Sequence, residues 1–196
     1  APHTERSGLK ADAYGHGAVW VARALQKQGV RAFAVATLEE GIALRRHGVR
    51  GEILVLGYTH PSRAFALWLY RLTQTAVDLP HARALAASGL RLRVHVKADT
   101  GLHRLGVPAQ DLAAFAEIYR LPLRVEGVYT HLARADSRLL EDEAFTQKQI
   151  DAYYALLEQL AGQGIQVGKT HLQSSHGLAY HPGLPCHYAR CGLMLY

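Results

Sequence analysis

The chain has 196 residues, 49% of them hydrophobic and 19% charged, which suits one globular domain or a large part of one and excludes a disordered or low-complexity protein. Its formal net charge is +6, yet the 22 Lys and Arg residues are scattered and Arg45-Arg46 is the only adjacent basic pair. That spread excludes a nucleic-acid stripe and leaves an anionic ligand as the better use of the basic balance.

Ala1 to Gly8 (APHTERSG) is polar and turn-rich, with no apolar alternation, and only Leu9 before Lys10 suits a buried strand. A buried parallel strand ahead of Lys10 should read as a β-branched apolar run, so the first strand is expected to be missing or truncated. Lys10-Ala-Asp-Ala-Tyr-Gly-His-Gly17 then reads as a glycine-flanked turn before a helix over Val19 to Gln28. A lysine at such a strand-to-helix junction can condense with a carbonyl cofactor or stand as a solvated loop residue.

Strands and helices alternate from there on. Arg31 to Thr37 predicts a strand and Leu38 to His47 a helix; Ile53 to Gly57 and Pro61 to Arg71 form the next pair. Thr75 to Asp78 is a weak strand followed by a helix over His81 to Ser88, and Leu92 to Ala98 is a stronger strand. After Pro108 comes a helix over Ala109 to Arg120, then the strand Leu123 to Thr130 and a long helix from Glu141 to Ala161. Gln166 to Leu172, a loop and Tyr188 to Leu195 complete the series. Seven strands counted from Arg31, with a truncated one before Lys10, point to an α/β fold of the (β/α)8 barrel type in a single domain over 1–196. The open doubly wound sheet lacks its glycine fingerprint here.

Cys186 and Cys191 are the only cysteines, too few for a secreted disulfide framework, so a cytoplasmic setting fits best. His181, Cys186, His187 and Cys191 lack the compact pair spacing of a metal site, and no metal is expected. No apolar run approaches membrane-spanning length and no signal core opens the chain, so no membrane contact is expected of this segment, whatever tethers a parent chain.

In a barrel, the C-terminal strand ends meet at one mouth. Here they carry Lys10, Lys97 with Asp99 and Arg104, His131, Ser174 with Ser175, and Arg190 with Gly192. His16, His103, His176 and His181 read as solvated or structural.

The ordered stretches Lys10-Ala-Asp-Ala-Tyr-Gly-His-Gly17, Lys97-Ala-Asp-Thr-Gly-Leu-His-Arg-Leu-Gly106, Tyr129-Thr-His-Leu-Ala-Arg-Ala-Asp136, His171-Leu-Gln-Ser-Ser175 and Ala189-Arg-Cys-Gly-Leu-Met-Leu-Tyr196 resemble the successive motifs of the alanine racemase family. Tyr129-Thr-His-Leu and His171-Leu-Gln-Ser-Ser175 look closer to the branch with the serine racemases of vancomycin-resistance clusters. The resemblance implies a pyridoxal 5'-phosphate enzyme of fold-type III that interconverts L- and D-alanine for peptidoglycan precursors. It also implies a C-terminal β-domain, which this stretch lacks, and a homodimer whose partner supplies the second base. The 196 residues alone are therefore expected to racemise poorly.

Carried over by residue, the resemblance implies that Lys10 holds the cofactor and is the base on one face of the substrate. Tyr14, Ser174, Ser175, Gly192 and Leu193 would contact the phosphate, with Ser174 standing where the family usually has Asn. Arg190 would meet the pyridine nitrogen, His131 would stack on the ring or orient Arg190, and Arg104 would lie near the substrate carboxylate. Lys97 matches a position carbamylated in some members. Three alternatives remain. A serine racemase would differ by a polar group placed for the hydroxyl. A non-catalytic pyridoxal-phosphate-binding barrel would lack the Lys97 and His171 motifs. A decarboxylase would place a carboxylate where Arg190 stands.

Overall fold

A computed structural model describes residues 4–192, except for the side chains of Thr4, Glu5, Lys10 and Tyr14. The elements are β1 (Thr4–Gly8), α1 (Lys10–Tyr14), α2 (Ala18–Lys27), β2 (Ala32–Val35), α3 (Leu38–Arg46), β3 (Glu52–Val55), a 3-10 turn (Pro61–Arg63), α4 (Ala64–Leu69), β4 (Thr73–Ala76), α5 (Leu79–Ala86) and β5 (Arg93–Asp99). Beyond them lie β6 (Val107–Pro108), α6 (Leu112–Arg120), β7 (Arg124–Tyr129), α7 (Leu140–Gly162), β8 (Lys169–His171), α8 (Ser175–Tyr180) and β9 (Tyr188–Cys191).

The strands pair in parallel in the order β8-β7-β5-β4-β3-β2-β1-β9, with β6 added beside β5. The two ends of this path meet: the His187 N–H donates to the Thr170 carbonyl at 2.8 Å and the Arg190 N–H to the Gln173 carbonyl at 2.9 Å. The sheet is thus a nearly closed eight-stranded barrel, as its alternating pattern implies. Among the described residues, no helix is long and apolar enough to cross a membrane.

One expectation is overturned. The segment before Lys10 contains β1, paired with β2 (Arg6 with Ala32) and with β9 (Arg6 with Arg190), so the first strand is present. The apolar-run criterion missed it because this barrel has a polar interior. Side chains alternate across a strand, and the apolar set Val94, Val96 and Ala98 of β5 joins Leu44, Leu67, Leu85, Phe115, Ile118 and Leu156 in the core beneath the helices. Each such buried side chain contributes roughly 1.5–3 kcal/mol. The opposite set, His95 and Lys97, is buried against polar groups, His171 of β8 and the Leu105 carbonyl of the loop after β5.

Smaller differences lie at element ends. α6 starts at Leu112 with Asp111 as its cap, accepting from the Ala114 N–H at 3.0 Å, while Pro108 belongs to β6. Asp78 likewise caps α5 through the His81 N–H at 2.7 Å, so that helix opens two residues before its expected start. α8 was expected to be loop; at six residues it has too few turns to show a helical period.

The barrel floor is built on a buried ion cluster. Arg6, fully buried, donates through Nη2 to Glu52 Oε1 at 2.7 Å, and its guanidinium lies 4.5 Å from the centroid of the Tyr188 ring. Lys169 Nζ and the Tyr188 hydroxyl approach Glu52 Oε2 at 3.1 and 3.3 Å, and His95 Nε2 lies 3.2 Å from Oε1. Burial alone would raise the Glu52 carboxyl, but His95 and Arg6 outweigh it and hold it well below the usual carboxylate range. Burial draws the His95 imidazole down to about 4.

Both shifts act in one direction with pH. Between the ordinary histidine value of about 6.5 and about 4, the unfolded chain protonates His95 while the folded one does not. Below the ordinary carboxylate range, the unfolded chain also protonates Glu52 first. Stability should therefore fall steadily as pH drops below about 6.5, with a further loss below about pH 4.5. Urea midpoints measured from pH 8 to 3.5 check this, and a midpoint constant between pH 6.5 and 4 contradicts it.

Candidate active site

At the C-terminal strand ends lies a cavity of about 290 Å³, lined in part by Lys97, Arg104, His131, Ser175, Arg190 and Gly192. No carboxylate lines it among the described residues. A larger groove of about 590 Å³, walled by Arg71, Arg91, Arg93 and Arg124, sits at the opposite end of the barrel. Chemistry in such folds belongs to the C-terminal mouth, so the smaller cavity is the site.

Lys10 follows β1 after the single residue Leu9, whose N–H donates to the Ala34 carbonyl at 2.7 Å. The next three residues, Ala11, Asp12 and Ala13, all have left-handed backbone, with φ of 52°, 51° and 56°. Each non-glycine residue there costs roughly 1–2 kcal/mol, so the turn persists only because its surroundings hold it. Asp12 Oδ1 accepts the Ala18 N–H at 2.7 Å, capping α2 in place of Gly17, which has no side chain to do so. Glu40 Oε1 accepts the Ala11 N–H at 2.8 Å, and its Oε2 accepts from Ala36 at 2.6 Å and Thr37 at 3.3 Å in a capping box with Thr37. The sharp bend is thus made by alanines and an aspartate as well as by the glycines expected to make it.

Glu40 therefore bolts the lysine turn to α3. Glu40→Ala should cost about 1–3 kcal/mol through the lost cap and the orphaned N–H groups. It should also speed amide exchange at Ala11 more than at core strands. Hydrogen exchange read by mass spectrometry checks this; unchanged protection over 9–17 contradicts it.

Arg190 is the most constrained side chain of the mouth. Nη1 donates to His171 Nδ1 at 2.7 Å, and Nη2 donates to the Thr130 carbonyl at 2.6 Å with His131 Nδ1 at 3.4 Å. Its guanidinium carbon stands 5.0 Å from the centroid of the Tyr129 ring. Burial lowers its pKa to about 10, which leaves it a cation at neutral pH. Among the described residues no hydrogen bond joins its Nε–H, and the residue lines the cavity.

Lys97 Nζ donates to the Leu105 carbonyl at 2.8 Å. Burial first, then the neighbouring Arg104, pulls its pKa to about 8 against the opposing pull of Asp99. Asp99 accepts from the Gly101 and His103 N–H groups, both at 3.0 Å, and so shapes the loop that carries Arg104. Ser174 Oγ accepts the Gly177 N–H at 3.5 Å as the cap of α8, whereas Ser175 Oγ accepts the Gly192 N–H at 3.0 Å.

The structure thus brings Lys97, Arg104, His131, Ser174, Ser175, Arg190 and Gly192 to one cavity, with the backbone of Lys10 and Tyr14 in the turn after β1. Leu193 lies outside the described residues. His131 sits beside Arg190, with its Nδ1 3.4 Å from Nη2. Sequence reasoning gave no role to His171, which holds Arg190, or to His176, which lines the cavity. The period-2 pattern Lys169, His171, Gln173 was the available signal.

Residues 6–196 match the family described as "Alanine racemase, N-terminal domain". A serine/alanine racemase of Enterococcus gallinarum is 44% identical over 188 residues, which is 95% of this chain and 27% of that protein. An alanine racemase of Carboxydothermus hydrogenoformans is 40% identical over 193 residues, 96% of this chain and 52% of that protein. The solved alanine racemase of Clostridium difficile 630 in complex with cycloserine superposes with a TM-score of 0.93 at 33% identity, covering 99% of this chain and 54% of that one. The chain therefore spans between a quarter and about half the length of these relatives. With the parallel barrel, the order of its motifs and the match over nearly its whole length, it belongs to the alanine racemase N-terminal domain family.

Proposed function

We propose that residues 1–196 form the pyridoxal-phosphate-binding barrel domain of a racemase that interconverts L- and D-alanine in the cytoplasm, supplying D-alanine for peptidoglycan precursors. The observation that carries this is the gathering of Arg190, His131, Ser175, Lys97 and Arg104 around one cavity next to the Lys10 turn. The donor set suits the cofactor. A serine hydroxyl and cations serve a phosphate with no competing carboxylate, and the Nε–H of Arg190 serves a ring nitrogen.

Bound pyridoxal phosphate supplies an electron-withdrawing ring that acidifies the Cα proton of an attached amino acid. Lys10 would hold the cofactor and use its Nζ to take that proton from one face of Cα and to return one there. Tyr14, Ser174, Ser175, Gly192 and Leu193 would bind the phosphate. Arg190 keeps its own proton, so it can only donate to the ring nitrogen. That favours a brief proton transfer over longer-lived carbanion chemistry. Arg104 would hold the substrate carboxylate. The opposite face of Cα needs a second acid–base group, which in this reading comes from a partner subunit of a homodimer. Serine is the second substrate reading, favoured by the relative named a serine/alanine racemase.

Lys97 carbamylation belongs to the same proposal. Its amine, drawn to about 8, keeps a neutral fraction that can attack carbon dioxide, forming an N–C bond and losing a proton to solvent, with Arg104 beside the new anion. Carbon-13 bicarbonate should give a carbamate resonance that Lys97→Ala removes; its absence from the unsubstituted protein contradicts the assignment.

The proposal is tested by incubating the intact protein with pyridoxal phosphate and L-alanine in deuterium oxide. Loss of the Cα proton signal with appearance of D-alanine is expected. Cofactor binding with neither change would overturn the racemase reading.

A further inference from the structure

TIM-type barrels usually fill their interior with branched apolar side chains. This one threads a line of polar groups along its axis. Arg190 Nη1 lies 2.7 Å from His171 Nδ1, His171 Nε2 lies 2.9 Å from His95 Nδ1, and His95 Nε2 lies 3.2 Å from Glu52 Oε1. Both imidazoles are fully buried. The His171 ring stacks on Tyr129 with centroids 4.6 Å apart and planes 7° apart, and the Tyr129 hydroxyl is tied to Thr75 at 3.0 Å. The His95 ring has its own niche: a Cβ at Gly127 would stand 2.8 Å from His95 Cε1, and the ladder between β5 and β7 shifts register at Val94/His95. The rings are held in place on every side.

The two ends of the line dictate its polarity. A guanidinium only donates, so His171 Nδ1 must be bare and its proton must sit on Nε2. A carboxylate only accepts, so His95 must carry its proton on Nε2 and leave Nδ1 bare. The two demands agree: the hydrogen bonds from Arg190 to His171 and from His171 to His95 run from the mouth toward the floor, and the buried His95 Nε2 has no acceptor nearer than the Glu52 carboxylate, 3.2 Å away at ion-pair distance. We infer that Glu52 and His95 are positioning residues of the reaction site, fixing one tautomer along His95 and His171 so that a bare Nδ1 holds the Arg190 guanidinium and leaves its Nε–H to the cavity.

Burial, foremost, keeps both histidines below their ordinary values, so both are neutral near pH 7. The carboxylate stays in place because Arg6 and Lys169 grip it from the other side. Glu52, His95 and Glu126 have ligand atoms within 4.8 Å of one another, which raises the alternative of a metal there. A metal on His95 Nε2 would move that ring's proton to Nδ1 and reverse the line, turning an N–H of His171 against Arg190. Glu52 and Glu126 are moreover already paired with Arg6 and Arg124, at 2.7 and 2.9 Å.

The inference rests on the racemase reading only for its effect on turnover; the tautomers are a property of the chain itself. The test is two-bond proton–nitrogen NMR of the intact protein with nitrogen-15 histidine, without substrate or cofactor, assigned through His95→Gln and His171→Gln. Both rings should show Nε2–H with bare Nδ1. Glu52→Gln should move the His95 proton to Nδ1, because Lys169 and Tyr188 claim the amide oxygen at the Oε2 position and leave the NH2 at the Oε1 position facing the ring, whereas Glu52→Asp should keep the original tautomer. In an active preparation Glu52→Gln should lower kcat about 10- to 100-fold with little change in KM, as for a misaligned reacting group. An Nδ1–H tautomer on either ring of the unsubstituted protein would overturn the inference, as would a folded Glu52→Gln with both rings unchanged. Should Glu52→Gln fail to fold, the unsubstituted spectrum still decides. Expected tautomers in a protein that neither binds pyridoxal phosphate nor racemises would defeat the functional reading alone.

Discussion

Lys10→Ala should lower L-alanine turnover by at least about 10²–10⁴-fold, the usual worth of one positioned acid–base group, with a further loss because the cofactor's covalent anchor goes too. The size follows from placement. The left-handed run Ala11–Ala13 is pinned by Asp12 to α2 and by Glu40 to α3, so the chain spends backbone strain to present residue 10 at one point of the mouth. Among the described residues the other amine lining the mouth is that of Lys97, which donates to the Leu105 carbonyl beside Arg104. Far-UV circular dichroism should be unchanged in the variant, and added small primary amines should restore part of the rate. Turnover within about tenfold of the parent's would remove Lys10 from the chemistry.

Arg6→Met should cost about 3–5 kcal/mol of stability, a large share of the 5–15 kcal/mol typical of a domain. Arg6 is fully buried, and without it Glu52 keeps only Lys169, Tyr188 and His95 as partners. Leaving one buried charge short of its partner is what makes such substitutions severe. Replacing the pair together, as Arg6→Met with Glu52→Leu, should recover part of that loss in urea or thermal unfolding, because the desolvated charge disappears with its partner. A single substitution costing less than about 1 kcal/mol would mean that the floor pair behaves as a surface ion pair.

The barrel was legible in the sequence wherever apolar runs alternated with helical periods, as in Ile53–Gly57 or Glu141–Ala161, because the outer core between sheet and helices obeys the ordinary apolar rule. It failed at Thr4–Gly8 for a physical reason: that strand sends Arg6 into a polar interior, so its sequence, TERSG, looks like a turn. The mouth was legible through Lys10, Lys97, His131, Ser175 and Arg190 because each follows or ends a strand. The residues beneath them were not. Glu52, His95 and His171 lie on separate strands, and only the closed barrel brings them together. The alternation His95-Val96-Lys97, Lys169-Thr170-His171 and Tyr188-Ala189-Arg190 was visible, and it records a sheet polar on one face and apolar on the other.

The central claim, that Lys10 at this mouth carries pyridoxal phosphate, is tested most directly by adding the cofactor to the intact protein, reducing with borohydride and mapping the modified peptide by mass spectrometry. The label is expected on Lys10 within the Lys10-Ala-Asp-Ala-Tyr-Gly-His-Gly17 stretch, together with a near-visible absorbance band that reduction abolishes. A label on another lysine, or none while the protein remains folded, would contradict the account.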